Sequence, residues 1–362
     1  MQQELAEAVK AKARALGFDL VGITGAEPSV FAEAYRDWVL RGYAGEMDYL
    51  TRDLHRRLDP RELLADARSI IVVGMNYYTD ADEGPGTPVE KDLERATFAR
   101  YARGDDYHEV MTTRLRTLLA FLQAEAGEGA EGRVYVDTGP LLEREVAQRA
   151  GLGWFGKNTM LINTWRGSYF FLGEIVTNVA LAVDEPARGG CGTCTRCLDA
   201  CPTGAFVAPY VLDSRRCLSY LTIELKGSLP EDLRPALAEA GSRVFGCDIC
   251  QEVCPFNQRR SVPTPEPAFQ PRAVTANSRL VDLLLLSEEE FREKFRKSPV
   301  KRAKWRGLLR NVAAALSASD DSNSEQALEK ALDHPELLVQ EQARLSLAAI
   351  KTRRRCAAQK QM

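Results

Sequence analysis

Apolar residues recur at two different periods along the chain. MQQELAEAVKAKARALGF, residues 1–18, places Leu5, Val9, Ala13 and Leu16 along one side of a charged helix. FDLVGITGA, ARSIIVVGMNYY, GRVYVDTG and SYFFLGEIVTNVALAV are instead dense in β-branched and aromatic residues, the composition of strands. Helical spacing returns over residues 106–126 and in LLEREVAQRAG, with Pro140 expected at the first turn of that helix. The alternation predicts an α/β domain over residues 1–182, with a mixed sheet. EPARGG at 185–190 breaks the pattern, and SVPTPEPAFQPR at 261–272 reads as a proline-rich connector, which bounds a second domain over 183–272. Over 273–362 the pattern is helical. Ser287 and Glu290 form a capping box, and helices are expected over 301–317, 324–333 and 336–353, resembling a short helical repeat. The fold class is therefore α+β and multidomain.

With 362 residues, 45% of them apolar, the chain can bury a sizeable core. The N-terminal helix lacks the apolar stretch of a signal peptide, and VDLLLLS falls far short of a membrane span. No membrane partner and a cytoplasmic location are the expectation. In that reducing setting nine cysteines point to metal or redox chemistry rather than disulfides.

CGTCTRCLDAC, residues 191–201, precedes Pro202, and CDICQEVC precedes Pro255. Three closely spaced cysteines can hold three corners of a cubane, and the fourth, before proline, serves the neighbouring cluster. That rule assigns Cys191, Cys194, Cys197 and Cys254 to one 4Fe–4S cluster, and Cys201, Cys217, Cys247 and Cys250 to a second. Cys356, in a basic tail, is left as a spectator. Structural zinc, which favours paired CxxC knuckles, and buried free thiols are the alternatives. Two clusters make a low-potential electron wire without naming its acceptor. No GxGxxG follows a strand, so a dinucleotide site is not supported.

The flanks are more specific. ARYARGDDYH (99–108), GLGWFGKNTMLI (151–162), GSYFFLGEIVTN (167–178), RCLSYLTIELKG (216–227) and VFGCDICQEVCPFN (244–257) resemble the epoxyqueuosine reductase family, in the same order and over nearly the whole chain. The resemblance implies a nitroreductase-like N-terminal domain that binds cobalamin, a bacterial ferredoxin-like module with two 4Fe–4S clusters, and a C-terminal domain of HEAT-like repeats that binds tRNA. The implied reaction reduces epoxyqueuosine at the tRNA wobble position to queuosine, the last step of queuosine biosynthesis. The implied partners are a tRNA carrying epoxyqueuosine and an external low-potential electron donor, the chain itself acting as a monomer. Asp53-Leu54-His55-Arg56-Arg57-Leu58 echoes the DxHxxG cobalamin motif, but Leu58 stands where glycine is required, and the match is read as coincidence.

The resemblance makes Asp137 the proton donor, which needs a raised pKa beside a large apolar cofactor. Taken alone, an Asp before Thr-Gly-Pro is a turn or cap residue. Lys157 and Asn158, in a glycine-flanked loop, Arg57 and Ser168 are implied as cobalamin contacts; by themselves they read as a solvated turn and as surface residues. Ser219 and Asp248, beside Cys217 and Cys247, would edge the corrin. His108 is either a polar neighbour of the site or a satisfied structural histidine.

Net charge is −3, so affinity for nucleic acid must be local. FREKFRKSPVKRAKWRGLLR, residues 291–310, holds nine Lys or Arg and a single acid, interleaved with Phe291, Phe295 and Trp305. The stretch suits phosphate contacts, or else is a solvated helix face over buried aromatics. Two other functions share parts of this plan. A reductive dehalogenase-like enzyme usually carries an export signal and no basic tail; a non-catalytic electron carrier would need only residues 185–257.

Overall fold

Four strands organise the N-terminal half: β1 (Leu20–Gly25), β2 (Ser69–Asn76), β3 (Gly132–Tyr135) and β4 (Phe170–Thr177). The computed structural model describes residues 1–80, 93–319 and 321–360. The strands pair in the order β1-β2-β4-β3, and every pairing is antiparallel. The mixed sheet expected from the helix–strand alternation is therefore corrected. Long connections between strands let each one reverse direction, and alternation alone does not reveal that.

The central strand β2 is buried at all eight positions, as its unbroken apolar run requires of a strand covered on both faces. Alternate residues serve the two faces. Ile71 and Val73 pack with helices α1 (Gln2–Ala15) and α2 (Tyr107–Ala126), through Ala6, Val9, Met111 and Leu115. Ile70 and Val72 pack with Val146 and Ala147 of α3 (Glu143–Arg149). Pro140 lies outside α3, whose N-cap is Leu142, so the expected first-turn position is also corrected. The intervening residues form the turn that carries Asp137.

The cysteine-bearing segment has only short elements: α4 (Leu218–Ile223), a hairpin of Phe206–Ala208 with Val211–Leu212, and short helices at Arg196–Asp199, Arg234–Glu239, Ile249–Glu252 and Pro255–Arg260. It is stitched to the first half by a short parallel pairing of Thr97–Phe98 with Arg243–Phe245. The C-terminal part is helical, with short helices at Ala273–Ala276 and Leu280–Leu284 followed by α5 (Glu288–Lys294), α6 (Lys304–Leu316), α7 (Ser322–Lys330) and α8 (Leu337–Lys360). The Ser287–Glu290 capping box is present at the start of α5. One apolar core joins Leu308, Val312, Leu328 and Ala343 of these helices to Phe98 and Phe245. Among the described residues, no helix is long and apolar enough to cross a membrane.

Phe291 and Phe295 are buried in that core, at 5% and 0% exposure, so they are unavailable to stack on a base. So is Arg310, at 1% exposure. Its guanidinium donates to the carbonyls of Leu221, Leu225 and Gly227 and to Asn311 Oδ1, at 2.6–3.1 Å. Burial pushes its pKa down to about 10, which leaves it charged at neutral pH. Arg310 therefore fastens α6 to the end of α4 and takes no part in a nucleic-acid surface. Arg310→Met keeps the apolar stem but leaves these acceptors without their donor, and is expected to cost roughly 3 kcal/mol. A lowered denaturant midpoint in unfolding of the full chain is the measurement.

Candidate functional site

Two groups of thiols sit where chain segments converge. Cys191 and Cys254 act electrostatically on Cys197, and Cys191 and Cys194 act on Cys254. Cys201 acts on Cys217, while Cys217 acts on both Cys247 and Cys250. Cys250 also feels Cys197, so the two groups are neighbours. A cavity lined by Cys191, Cys194, Cys197 and Cys254, with Asn158, Ile162 and Phe256, marks the first group. Among the described residues no cluster of His, Cys, Asp or Glu is tight enough for a single metal ion. The corners of a cubane stand farther apart than the ligands of one ion, so this is compatible with two cysteine quartets.

Burial raises the pKa of Cys217, Cys254 and Cys250, and pushes Cys247 up to about 12. Free thiolates are costly there; iron would offset that cost. Backbone N–H groups already point at the sulfurs. Those of Ser219 and Tyr220 serve Cys217, and those of Phe256 and Asn257 serve Cys254. Cys217 and Cys254 are themselves N-caps, so each sulfur lies at the positive end of a short helix. The proline after Cys254 fits the first helical position, where no N–H is needed.

Lys157 and Asn158 hold the cysteine loops. Lys157 Nζ donates to the carbonyls of Gly192 at 2.8 Å and Cys194 at 3.0 Å, and its backbone N–H reaches Cys191 Sγ at 3.5 Å. Asn158 is buried and donates to the Cys250 carbonyl at 3.3 Å. The solvated-turn alternative for this pair is overturned. Ser168 and Arg57 are likewise buried, not surface residues. Ser168 bonds Gln251 and Asn257 across the junction with the cluster module. Arg57 donates to the Tyr49 carbonyl at 3.0 Å, and its Nε has no partner among the described residues. Asp248 Oδ2 accepts from Arg100 N at 2.7 Å, which ties the Cys247 loop to the first domain.

Asp137 stands on the turn after β3, in the left-handed region at φ +57°. For a non-glycine residue that conformation costs on the order of 1 kcal/mol, and three contacts hold it. Its backbone N–H donates to Glu143 Oε1 at 2.5 Å, and its Oδ2 accepts from Tyr107 Oη at 2.7 Å. His108 Nε2 lies 3.7 Å from the same Oδ2, an ion-pair distance too long for a hydrogen bond. The His108 ring is fixed from its other side by Asp106 at 2.7 Å and by stacking on Tyr107. Burial works to lower the pKa of His108, but Asp106 and Asp137 outweigh it and push the value up to about 9. His108 is thus both a site neighbour and held in place, and it is protonated at neutral pH.

For Asp137 itself, desolvation works to raise the pKa, but the contacts with His108 and Tyr107 and nearby Arg144 bring it below the usual carboxylate range. The protein's own contacts therefore do not supply the raised value that a proton donor needs. The side chain is 61% exposed although protein closes around the rest of it. That open face keeps the charge hydrated. The acids that are pushed up stand behind it: Glu143 to about 8 through burial and the charge of Asp137, and Glu174 further through burial and the charge of Glu143. Tyr107, Glu143 and Glu174 escaped the sequence reading. One usable signal was present: a glutamate in the middle of the apolar strand FFLGEIVT.

Relatives place this arrangement. The family model described as epoxyqueuosine reductase QueG, DUF1730, matches residues 57–138, and that of a 4Fe-4S double cluster binding domain matches residues 190–257. An epoxyqueuosine reductase of Pseudomonas aeruginosa is 45% identical over 317 residues, 86% of this chain and 85% of its own length. The chain belongs to the epoxyqueuosine reductase family. Members of this family are oxidoreductases, and the chain carries their double-cluster domain. A crystal structure of an epoxyqueuosine reductase with a tRNA-Tyr epoxyqueuosine-modified stem loop superposes with a TM-score of 0.86 at 33% identity, covering 96% of this chain and 90% of that one. The Bacillus subtilis epoxyqueuosine reductase matches at 0.84 and 32%, with the same coverage, in a structure whose aspartate-bearing catalytic loop is swung out of the active site. Cys254→Ser is expected to halve the iron bound per chain, since it leaves the Cys201, Cys217, Cys247 and Cys250 quartet intact. Iron content and visible absorbance of anaerobically purified protein check this.

Proposed function

We propose that the chain reduces epoxyqueuosine to queuosine at the wobble position of tRNA, with Asp137 as the proton donor and electrons arriving through two 4Fe–4S clusters. The observation that carries this is the Asp137 turn, where a carboxylate held by Tyr107 and His108 opens beside exposed cations. Cys191, Cys194, Cys197 and Cys254 hold one cluster; Cys201, Cys217, Cys247 and Cys250 hold the other. In this reading residues 1–182 form the nitroreductase-like catalytic domain, 183–272 the ferredoxin-like module and 273–362 a HEAT-like tRNA platform. The chain works as a cytoplasmic monomer fed by a low-potential donor.

The polar residues around Asp137 suit cobalamin. The buried Arg57 Nε and His108 Nε2 lack hydrogen-bond partners among the described residues, and such atoms call for a ligand. Arg57, Asp137, Lys157, Asn158, Ser168, Ser219 and Asp248 are the proposed contacts, acting directly or through the cysteine loops they brace. When bound, the cofactor supplies a strongly reducing centre. The chain's residues supply position and protons.

Removing the epoxide oxygen as water consumes two electrons and two protons. Asp137 needs a higher pKa than it has in the open cleft. Covering its exposed face strengthens desolvation, the influence that already works upward. His108, protonated and 3.7 Å away, is a local source of that proton. The wobble base must leave its stack to reach the carboxyl.

The cations that guide the RNA are the exposed members of the basic stretch: Arg292, Lys294, Arg296, Lys297, Lys301, Arg302, Lys304 and Arg306. They lead to the site, since Arg302 packs over Tyr49 and feels Asp137, and Lys301 acts on Asp106. Their helices share a core with Phe98 and Phe245, so surface substitution tests them better than deletion.

Asp137→Ala should keep both clusters and lose turnover, read by nucleoside mass analysis after anaerobic incubation with cobalamin, a low-potential reductant and epoxyqueuosine-containing tRNA. Unchanged loss of oxygen from the base would remove Asp137 from the mechanism. Replacing Lys294, Lys304 and Arg306 together by Ala should weaken tRNA binding and flatten its salt dependence. Each phosphate left without its cation should reduce the log–log slope by about 0.7 to 0.9. Affinity that barely changes with salt in the unaltered chain would refute the basic platform.

A further inference from the structure

Glu174 lies in the middle of β4, 0% exposed, and neither of its carboxylate oxygens has a hydrogen-bond donor among the described residues. Its register partners are Val72 on β2 and Tyr135 on β3, and neither strand brings a cation to it. The group that faces it is the carboxyl of Glu143, in the first turn of α3. Two carboxylates cannot both remain charged in such surroundings, whereas one proton between them gives each a hydrogen bond. The remaining Glu143 oxygen accepts the backbone N–H of Asp137 at 2.5 Å. The other charged or titratable groups around the pair are Asp137, which repels it, and Arg144; Tyr107 and His108 reach Asp137 from α2.

We propose that Glu143 is a positioning residue for the reaction: sharing one proton with Glu174, it anchors the strained Asp137 turn facing the site, and loss of that proton releases the turn. Glu143 touches only the Asp137 backbone and donates nothing to substrate. The inference rests on the reading of Asp137 as proton donor. Burial and the neighbouring carboxylates raise the pKa values of both glutamates, Glu174 further than Glu143, so the pair holds its shared proton at neutral pH and loses it only as pH rises through the higher, Glu174 value. The competent form of the turn is therefore the protonated one, and activity should fall on the alkaline side. Ionised, the pair would set two further negative charges behind Asp137, and the N–H bond alone would have to hold a left-handed aspartate against them.

The test compares kcat–pH profiles of the full, cluster-loaded and cobalamin-loaded chain and its Glu143→Gln, Glu143→Ala and Asp137→Ala variants, with infrared spectra alongside. A glutamine at 143 keeps the acceptor for Asp137 N–H and offers Glu174 a permanent donor. It should retain most of kcat at neutral pH and lose the pair's alkaline limb. Glu143→Ala should lower kcat roughly tenfold, with little change in KM for tRNA. Independent of turnover, a protonated-carboxyl stretch should vanish from the unaltered chain as pH rises, and that change should be missing from Glu143→Gln. The inference is overturned if Glu143→Ala leaves kcat unchanged, if Glu143→Gln is as slow as Glu143→Ala, if the limb persists in Glu143→Gln, as titration of His108 would make it, or if the infrared change is absent. Full turnover by Asp137→Ala would instead overturn the donor reading itself.

Discussion

A thiol buried without a partner does not ionise, and the architecture around residues 190–257 follows from that constraint. Cys217, Cys247 and Cys250 are held in surroundings that disfavour their charge. Cluster binding needs that charge, so the fold supplies what it can beforehand: helix N-termini behind Cys217 and Cys254, backbone N–H groups at the sulfurs, and Lys157 across the Gly192 and Cys194 carbonyls. Two short helices of this segment, beginning at Leu218 and Pro255, start at a sulfur. Its apolar clusters, one around Leu218, Leu221, Leu229 and Leu233 with Cys217 and Cys247 against it and one at Cys254, are small beside the cores on either side.

The same economy operates at Asp137. Its carboxylate, Glu143 and Glu174 lie within one wall of the sheet, yet their proton affinities are driven apart by environment. The exposed acid with a phenol and an imidazolium beside it is ionised; the pair behind it keeps a proton. Different protonation states among three chemically similar groups are produced by hydration, hydrogen bonding and neighbouring charge.

Much of this was legible in the sequence. The cysteine spacing, the strands at 69–76 and 170–177 and the capping box at Ser287 are local patterns, and local patterns survive folding. Burial that depends on distant segments was not legible. Phe291, Phe295 and Arg310 sit in a run that looks like an RNA-facing surface, but Phe98 and Val244 cover it from far away in sequence. Arg57 and Ser168 are enclosed in the same way. The antiparallel sheet order rests on connections whose direction no periodicity encodes. The pKa of Asp137 depends on Tyr107 and His108, some thirty residues upstream.

The core that joins Phe98 and Phe245 to the C-terminal helices has a consequence for the chain during its synthesis. Phe98 emerges early, but its partners on α6, such as Leu308 and Val312, follow only after some two hundred further residues. Contacts so distant in sequence form late. The cysteine segment, complete by residue 254, therefore emerges before the helices that close over its neighbours, and iron can reach it while that side of the molecule is still open. Sealing the core comes last, and Arg310 is the latch.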